Sequence, residues 1–302
     1  MPSGNTKNGN AVSAGSAPSE RKRRGRGRLA VRFLSGVLFL PPFVFITRVG
    51  SLPFLLLVSA LALIATWETY RLLGRASLRP LLPLGCLAAE GLILLLYRGR
   101  LGAVLLFLAL FFLLLLVSLV LSRRGDPFAR AGGALFALFY AAGLPGFLLL
   151  IRELPRTVGA GGYERGAAFV FLLFLTAWGS DTGAYLTGMT FGRTPLAPSI
   201  SPKKTVEGSI GGILFAVGGA FVSRAAWIPE MGVVEAAAVG ILVGILSQAG
   251  DLIESSLKRA AEVKDSAGFI PGHGGVLDRF DGLFFAAPVV WAYLRFVLFR
   301  GV

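Results

Sequence analysis

The chain has 302 residues, of which 55% are hydrophobic and only 15% charged, with a net charge of +14. Soluble domains carry about 25% charged residues, so a water-facing globular fold is excluded by composition, and the mean hydropathy of +0.73 agrees. One histidine and one cysteine also exclude a His/Cys zinc site and any intramolecular disulfide.

Residues 1–28 are rich in Gly, Ser, Asn and Ala and end in Arg21-Lys22-Arg23-Arg24-Gly25-Arg26-Gly27-Arg28. They read as a disordered basic tail. Nucleic-acid binding is one reading of it. Holding the N-terminus in the cytoplasm beside anionic lipid is the preferred reading, so no nucleic-acid partner is expected. No small-residue cleavage site follows a short apolar core, so a cleaved signal peptide is not expected.

Nine apolar stretches follow, each near the roughly 20 residues a helix needs to cross hydrocarbon: 31–47, 51–66, 80–97, 101–121, 132–151, 167–186, 208–223, 232–250 and 282–299. They are apolar all round rather than alternating, which predicts an all-α polytopic membrane protein and not a β-barrel. Pro41-Pro42 should kink or split the first span. Cys86 reads as an inert thiol in an apolar span. Glu90, a costly carboxylate inside the third span, has no assignable role. With the N-terminus inside, the inner segments carry 21 of the 30 Lys and Arg residues, as the positive-inside bias requires. The expected division is the tail, a scaffold of about five helices over 29–166, and a catalytic region of about four helices over 167–302.

The polar residues gather in two long connections that this threading puts on the cytoplasmic side. In the second, Asp251, Glu254, Ser255 and Lys258 share one face of a helix leaving the eighth span. Lys264-Asp265, a Gly-rich turn around His273-Gly274-Gly275, and Asp278-Arg279-Phe280-Asp281 lead into the ninth. Asp251, Asp278 and Asp281 can converge from two helices, and oxygen-only ligands suit a hard cation such as Mg²⁺. Structural capping and ion pairing are the competing account of these acids. In the first connection, Asp181 precedes Ser201-Pro202-Lys203-Lys204-Thr205-Val206-Glu207-Gly208. Lysines, hydroxyls and free N–H groups at a Gly-rich helix start can bind phosphate; a positive-inside marker is the plainer reading of the lysine pair. Asp181 is either a metal or nucleotide residue or a helix cap.

Ser255-Ser256-Leu257-Lys258-Arg259, then Lys264-Asp265, then His273-Gly274-Gly275-Val276-Leu277-Asp278-Arg279-Phe280-Asp281 resembles the signature of the phosphatidate cytidylyltransferase (CDP-diacylglycerol synthase) family. The Asp181–Tyr185 and Ser201–Gly208 segments are similar to that family too, and Trp67-Glu68-Thr69-Tyr70-Arg71 resembles a weaker N-terminal hallmark. The resemblance covers most of the chain after residue 28. It implies the transfer of CMP from CTP to phosphatidic acid, in the cell (inner) membrane with the active site facing the cytoplasm. It also implies Mg²⁺ on Asp251, Asp278 and Asp281, an optional second cation such as K⁺, and a homodimer. Asp251, Lys264, Asp265, His273, Asp278, Arg279 and Asp281 are the expected catalytic residues. Asp181, Ser201, Lys203, Lys204, Glu207, Ser255, Lys258, Arg259, Gly274 and Gly275 are the expected substrate-binding residues. Three alternatives stand beside this reading, of which a scaffold with a dead site is disfavoured by the intact acidic and basic motif. A CTP-using kinase of an isoprenoid alcohol would release CDP, and a secondary transporter would place its charges near the midplane on internal repeats.

Overall fold

The computed structural model describes residues 40–76, 82–121, 126–159, 161–264, 266 and 274–300. The predicted basic tail, residues 31–39 of the first span, Asp265 and His273 lie outside the described residues. The chain divides into two units, Met1–Pro41 and Pro42–Val302, and the architecture is that of the second.

Nine helices are present among the described residues. They are α1 (Leu40–Val49), α2 (Ser51–Arg75), α3 (Leu82–Arg98), α4 (Leu101–Leu121), α5 (Pro127–Val158), α6 (Arg165–Phe191), α7 (Val206–Ala226), α8 (Val233–Ala260) and α9 (Leu277–Leu298). In hydrocarbon every backbone N–H and C=O needs an internal partner, which makes long apolar runs helical. Seven of the nine, all but α1 and α3, are long and apolar enough to cross a membrane. The chain is thus an all-helical, multi-span membrane protein. Its one addition among the described residues is a short antiparallel hairpin between α6 and α7, β1 (Pro195–Ala197) with β2 (Ser201–Thr205).

The helix ends follow local chemistry. The described part of α1 begins at Leu40 with Pro41 and Pro42 in its first turn, and it breaks from α2 at Gly50, whose φ of 67° is left-handed. Asp126 caps α5 by accepting from Phe128 N at 2.9 Å, with Pro127 at the first helical position. Within α5 a π-turn over Phe139–Gly143 redirects the Leu144 N–H to Phe139 O just before Pro145. Thr205 caps α7 by accepting from Gly208 N at 3.2 Å. Several helices outrun their predicted spans. α2 continues nine residues past the predicted end at residue 66, and α5 covers 127–158 where 132–151 was expected.

α7 packs against both α6 and α8, and α9 lies against α8 and α5. Gly183, Gly211 and Gly212 leave no room for a Cβ at the α6–α7 contact, the small-residue packing that membrane helices use in place of a hydrophobic drive. The core runs through Val58 and Ala62 of α2, Ile93 of α3, Leu149 and Ile151 of α5, Leu172 and Leu173 of α6, and Phe284 and Val290 of α9. α4 buries only Val104, Phe111 and Leu115 and turns most of its remaining leucines outward, as expected of a lipid-facing helix. Glu90 meets Ser59 of α2 through a side-chain hydrogen bond.

Two polar layers bound the bundle. At one end, fully buried Arg152 donates to Thr47 O (2.7 Å), Arg48 O (2.9 Å) and Tyr163 O (2.9 Å). It thereby ties the last carbonyls of α1 to α5. Tyr163 donates to Glu153 Oε1 at 2.5 Å and accepts from Ser51 N at 2.5 Å. Burial, reinforced by the Glu153 carboxylate, pushes its hydroxyl up to about 12. The other layer, where α2, α6 and α8 end and α7 and α9 begin, holds the candidate site.

Candidate active site

α8 continues past its apolar stretch as a helix and presents Asp251, Glu254, Ser255 and Lys258 on successive turns of one side. α9 begins at Leu277, so Asp278 lies in its first turn and Asp281 one turn deeper. Where the two meet, ligand oxygens from Asp251, Glu254 and Asp281 lie within 4.8 Å of one another. Glu254 is 1% exposed; its Oε2 pairs with Lys258 Nζ at 2.5 Å, while its Oε1 is buried without a hydrogen-bond partner. Such an orphaned oxygen facing two more carboxylates is expensive unless a cation completes it. The all-oxygen donor set fits Mg²⁺.

Asp278 takes a different place from the one expected. Its Oδ1 accepts from Lys258 Nζ at 2.7 Å, and its Oδ2 from Gly275 N (2.7 Å), Ser266 Oγ (2.9 Å) and Ser266 N (3.2 Å). It holds the turn before α9, whereas Glu254 joins Asp251 and Asp281. The i, i+3 spacing of Asp251 and Glu254 carried this signal, since both fall on the same face.

Beside the triad is a cavity of about 460 Å³ lined by Asp181, Tyr185, Met189, Lys203, Lys204, Gln248 and Asp251, among others. The β1–β2 hairpin carries Lys203 and Lys204 to the cavity wall, whereas Ser201, at the start of β2, is not among the lining residues. Lys204 Nζ reaches Asp251 Oδ2 at 2.7 Å, and Lys203 is exposed. Glu207, expected to bind substrate, instead holds the hairpin base. It accepts from Arg193 N (3.0 Å), Thr194 N (3.2 Å) and Thr194 Oγ1 (2.9 Å). Ser255 donates to Asp251 Oδ1 at 3.3 Å, and Arg259 Nε donates to Ile200 O. Gly274 has a left-handed φ of 82°, and a Cβ on Gly275 would strike Ser266 Oγ and Glu68 Oε1. The Gly275 N–H is committed to Asp278 and not open to a ligand. Lys264 and Arg279 are exposed.

Two residues of the layer carry no role in the sequence reading. Glu68, within the Trp67–Arg71 segment, is 0% exposed and accepts from Val276 N at 2.9 Å and Leu277 N at 2.8 Å. Tyr140, on the π-turn of α5, is 6% exposed with its hydroxyl unpartnered. The phenol lies within electrostatic reach of Glu254, Asp281, Asp278 and Asp251. Tyr140 has no signal in the sequence, because a tyrosine in an apolar run looks like packing.

Comparison with known proteins bears on this geometry. The cytidylyltransferase family profile matches residues 30–297. The chain is 33% identical to a phosphatidate cytidylyltransferase of Bacillus subtilis (strain 168) over 276 residues, covering 87% of this chain and 96% of that protein. It is 34% identical over 267 residues to one from Brucella suis biovar 1 (strain 1330), covering 88% and 93%. It is 32% identical over 268 residues to one from Staphylococcus aureus (strain COL), covering 87% and 97%.

Proposed function

The chain belongs to the cytidylyltransferase family, and from that premise we propose that it transfers CMP from CTP to phosphatidic acid. The products are CDP-diacylglycerol and pyrophosphate. The observation that carries this reading is the oxygen-only triad of Asp251, Glu254 and Asp281 beside a lysine-rimmed cavity at the ends of membrane helices. One substrate is a soluble polyanion and the other an anionic lipid, so the site must face both water and bilayer. Tyr185 and Met189, which line the cavity, are 68% and 67% exposed on α6 and offer an apolar way in for acyl chains.

A phosphatidate phosphate oxygen bonds to the α-phosphorus of CTP, and the bond from that phosphorus to the β-phosphate bridging oxygen breaks. The electron pair leaves with pyrophosphate. A phosphate monoester is already nucleophilic near neutral pH, so the protein's task is to position two anions and offset their charge. Lys203 and Lys204 are placed on the hairpin to meet phosphates. Lys258 keeps one oxygen of Glu254 occupied and leaves the other for a cation. Asp251, Glu254 and Asp281 would hold Mg²⁺, which when bound supplies charge neutralisation for the triphosphate and the leaving group. Asp278 supports the site from outside this triad. The Lys/Arg bias supports a cytoplasm-facing site in the cell membrane, and a homodimer is proposed on family resemblance alone.

The test is a detergent-micelle assay with phosphatidate, CTP labelled at the α-phosphorus, and Mg²⁺. The expected result is label in lipid, pyrophosphate in water, and loss of both in Asp281→Asn. In a parallel reaction with γ-labelled CTP and an isoprenoid alcohol, label on the alcohol, with none of the α-label reaching phosphatidate in the first, would reassign the chain to the kinase class.

A further inference from the structure

Glu68 belongs to α2, in the N-terminal half of the chain, yet its carboxylate is spent on the last helix. The first N–H groups of any helix lack intrahelical partners, and a side chain a few residues away normally satisfies them. α9 has no such cap: Val276, at its N-cap position, makes no side-chain cap hydrogen bond. The two oxygens of Glu68 divide that work. Oε1 accepts from Val276 N at 2.9 Å, and Oε2 accepts from Leu277 N at 2.8 Å and from Ser266 Oγ at 3.4 Å. An anion at a helix N-terminus is also favoured by the helix dipole. Both ends of the connection before α9, Ser266 and Gly275 to Leu277, are therefore gathered on two acids, Glu68 and Asp278.

A helix is rigid over one turn, so fixing the N–H groups of Val276 and Leu277 fixes the height and rotation of the first turns of α9. Asp278 is one residue beyond Leu277 and Asp281 four. We infer that Glu68 is a positioning residue for the active site: it docks the N-terminus of α9 and so sets Asp278 on Lys258 and Asp281 against Asp251 and Glu254. Glu68 is neither one of the three clustered acids nor a residue that lines the cavity. Its part in the reaction rests on the proposed function, whereas its part in holding the triad does not.

The test compares wild type with Glu68→Gln and Val276→Pro. Glutamine keeps the volume but presents one amide N–H pair, so whichever way the amide turns one backbone donor loses its acceptor. Proline removes the Val276 donor while leaving Glu68 in place, and its ring suits the φ of −66° at that position. Three readouts are taken: the Mg²⁺-dependent rise in melting temperature of the detergent-solubilised protein, hydrogen exchange at the Val276 and Leu277 amides, and the Mg²⁺ concentration for half-maximal activity. Outer partners of metal ligands typically change affinity by about 10–100-fold. Glu68→Gln should raise the Mg²⁺ requirement by about that factor, speed exchange at Leu277 or Val276, and leave KM for CTP at saturating Mg²⁺ unchanged. Val276→Pro should shift Mg²⁺ in the same direction by less. If Glu68→Gln lowers stability alone, with the Mg²⁺ titration of wild type, the acid is merely structural and the inference is wrong. If both variants fail to fold while Glu68→Asp folds and titrates Mg²⁺ as wild type does, it is equally wrong. A wild type that binds Mg²⁺ but makes no CDP-diacylglycerol would sink the functional reading and leave this one standing.

Discussion

Replacing Lys258 by methionine keeps the length of the side chain and removes the one ammonium group that touches both Glu254 and Asp278. The contacts are 2.5 and 2.7 Å long, and Lys258, Glu254 and Asp278 side chains are 16%, 1% and 10% exposed. At an effective dielectric of about 20, each contact gives about 6 kcal/mol of Coulomb attraction. Desolvation of the three groups opposes most of it, and removing one partner from a buried network costs about 3–5 kcal/mol. At about 2–4 °C per kcal/mol for larger domains, the melting temperature should fall by roughly 6–20 °C. The companion variant is Lys258→Met with Glu254→Gln, which removes the stranded charge that has no other donor; Asp278 keeps those of Gly275 and Ser266. Melting of the detergent-solubilised protein, followed by intrinsic fluorescence, should recover most of the loss in the double variant. CMP transfer should stay low in both, because Glu254 is one of the three acids proposed to hold the cation. If the single variant melts with wild type, or if the double variant melts no higher than the single, then Lys258 is not neutralising a buried acid and the account of the triad fails.

Asp281→Asn should lower CMP transfer by roughly 100-fold or more, because several kcal/mol of charge stabilisation depend on a bound cation; it should also abolish Mg²⁺-dependent stabilisation in a thermal melt. Gly275→Ala drives a methyl into Ser266 and Glu68 and should cost about 1–3 kcal/mol of overpacking, read as a lower melting temperature. Arg152→Met strands three carbonyls at the opposite end of the bundle and should destabilise by at least about 3 kcal/mol. Arg165 starts α6 at that end and Asp181 lies 16 residues further along it, about 24 Å down the axis, so KM for CTP should not move in the Arg152 variant. The Tyr163 hydroxyl titrates at about 12, above its ordinary 10. Its stabilising contribution is complete below pH 10 and is lost as pH rises through about 12. Wild-type melting should therefore fall more steeply over that interval than Tyr163→Phe, and parallel curves would refute the assignment.

The membrane-spanning plan and the two polar connections were legible because each rests on a local pattern: apolar runs for the first, clustered charges for the second. Helix ends were less so. Hydropathy marks where a helix leaves hydrocarbon, not where it stops, and α2 runs on past it with Glu68 buried on the Val276 and Leu277 amides and Tyr70 buried against Gly85 and Ala137. The motif acids were visible, but their division of labour was not. Glu254, to which the sequence reading gave no metal role, lies with Asp251 and Asp281, while Asp278 engages Lys258, Ser266 and Gly275 across the turn. Glu207 carried the look of a substrate ligand in a lysine-rich motif, yet its partners are the amides of Arg193 and Thr194 on the far side of the hairpin. Glu68 stood in a quoted segment, but its role did not show, since the residues it serves are more than 200 positions away.

That separation has a bearing on how the protein is made. Glu68 enters the membrane with the second helix, but the N–H groups that satisfy it lie 208 and 209 residues later. At the usual pace of synthesis, about 5–20 residues per second, those donors are about 10–40 s behind it. For that interval the nascent chain carries a carboxylate with none of its final partners, in a half-built bundle that cannot yet close. Of the described helices α9 is made after the other eight and completes α2, so a chain released short of residue 277 would expose this acid and invite removal by quality-control proteases.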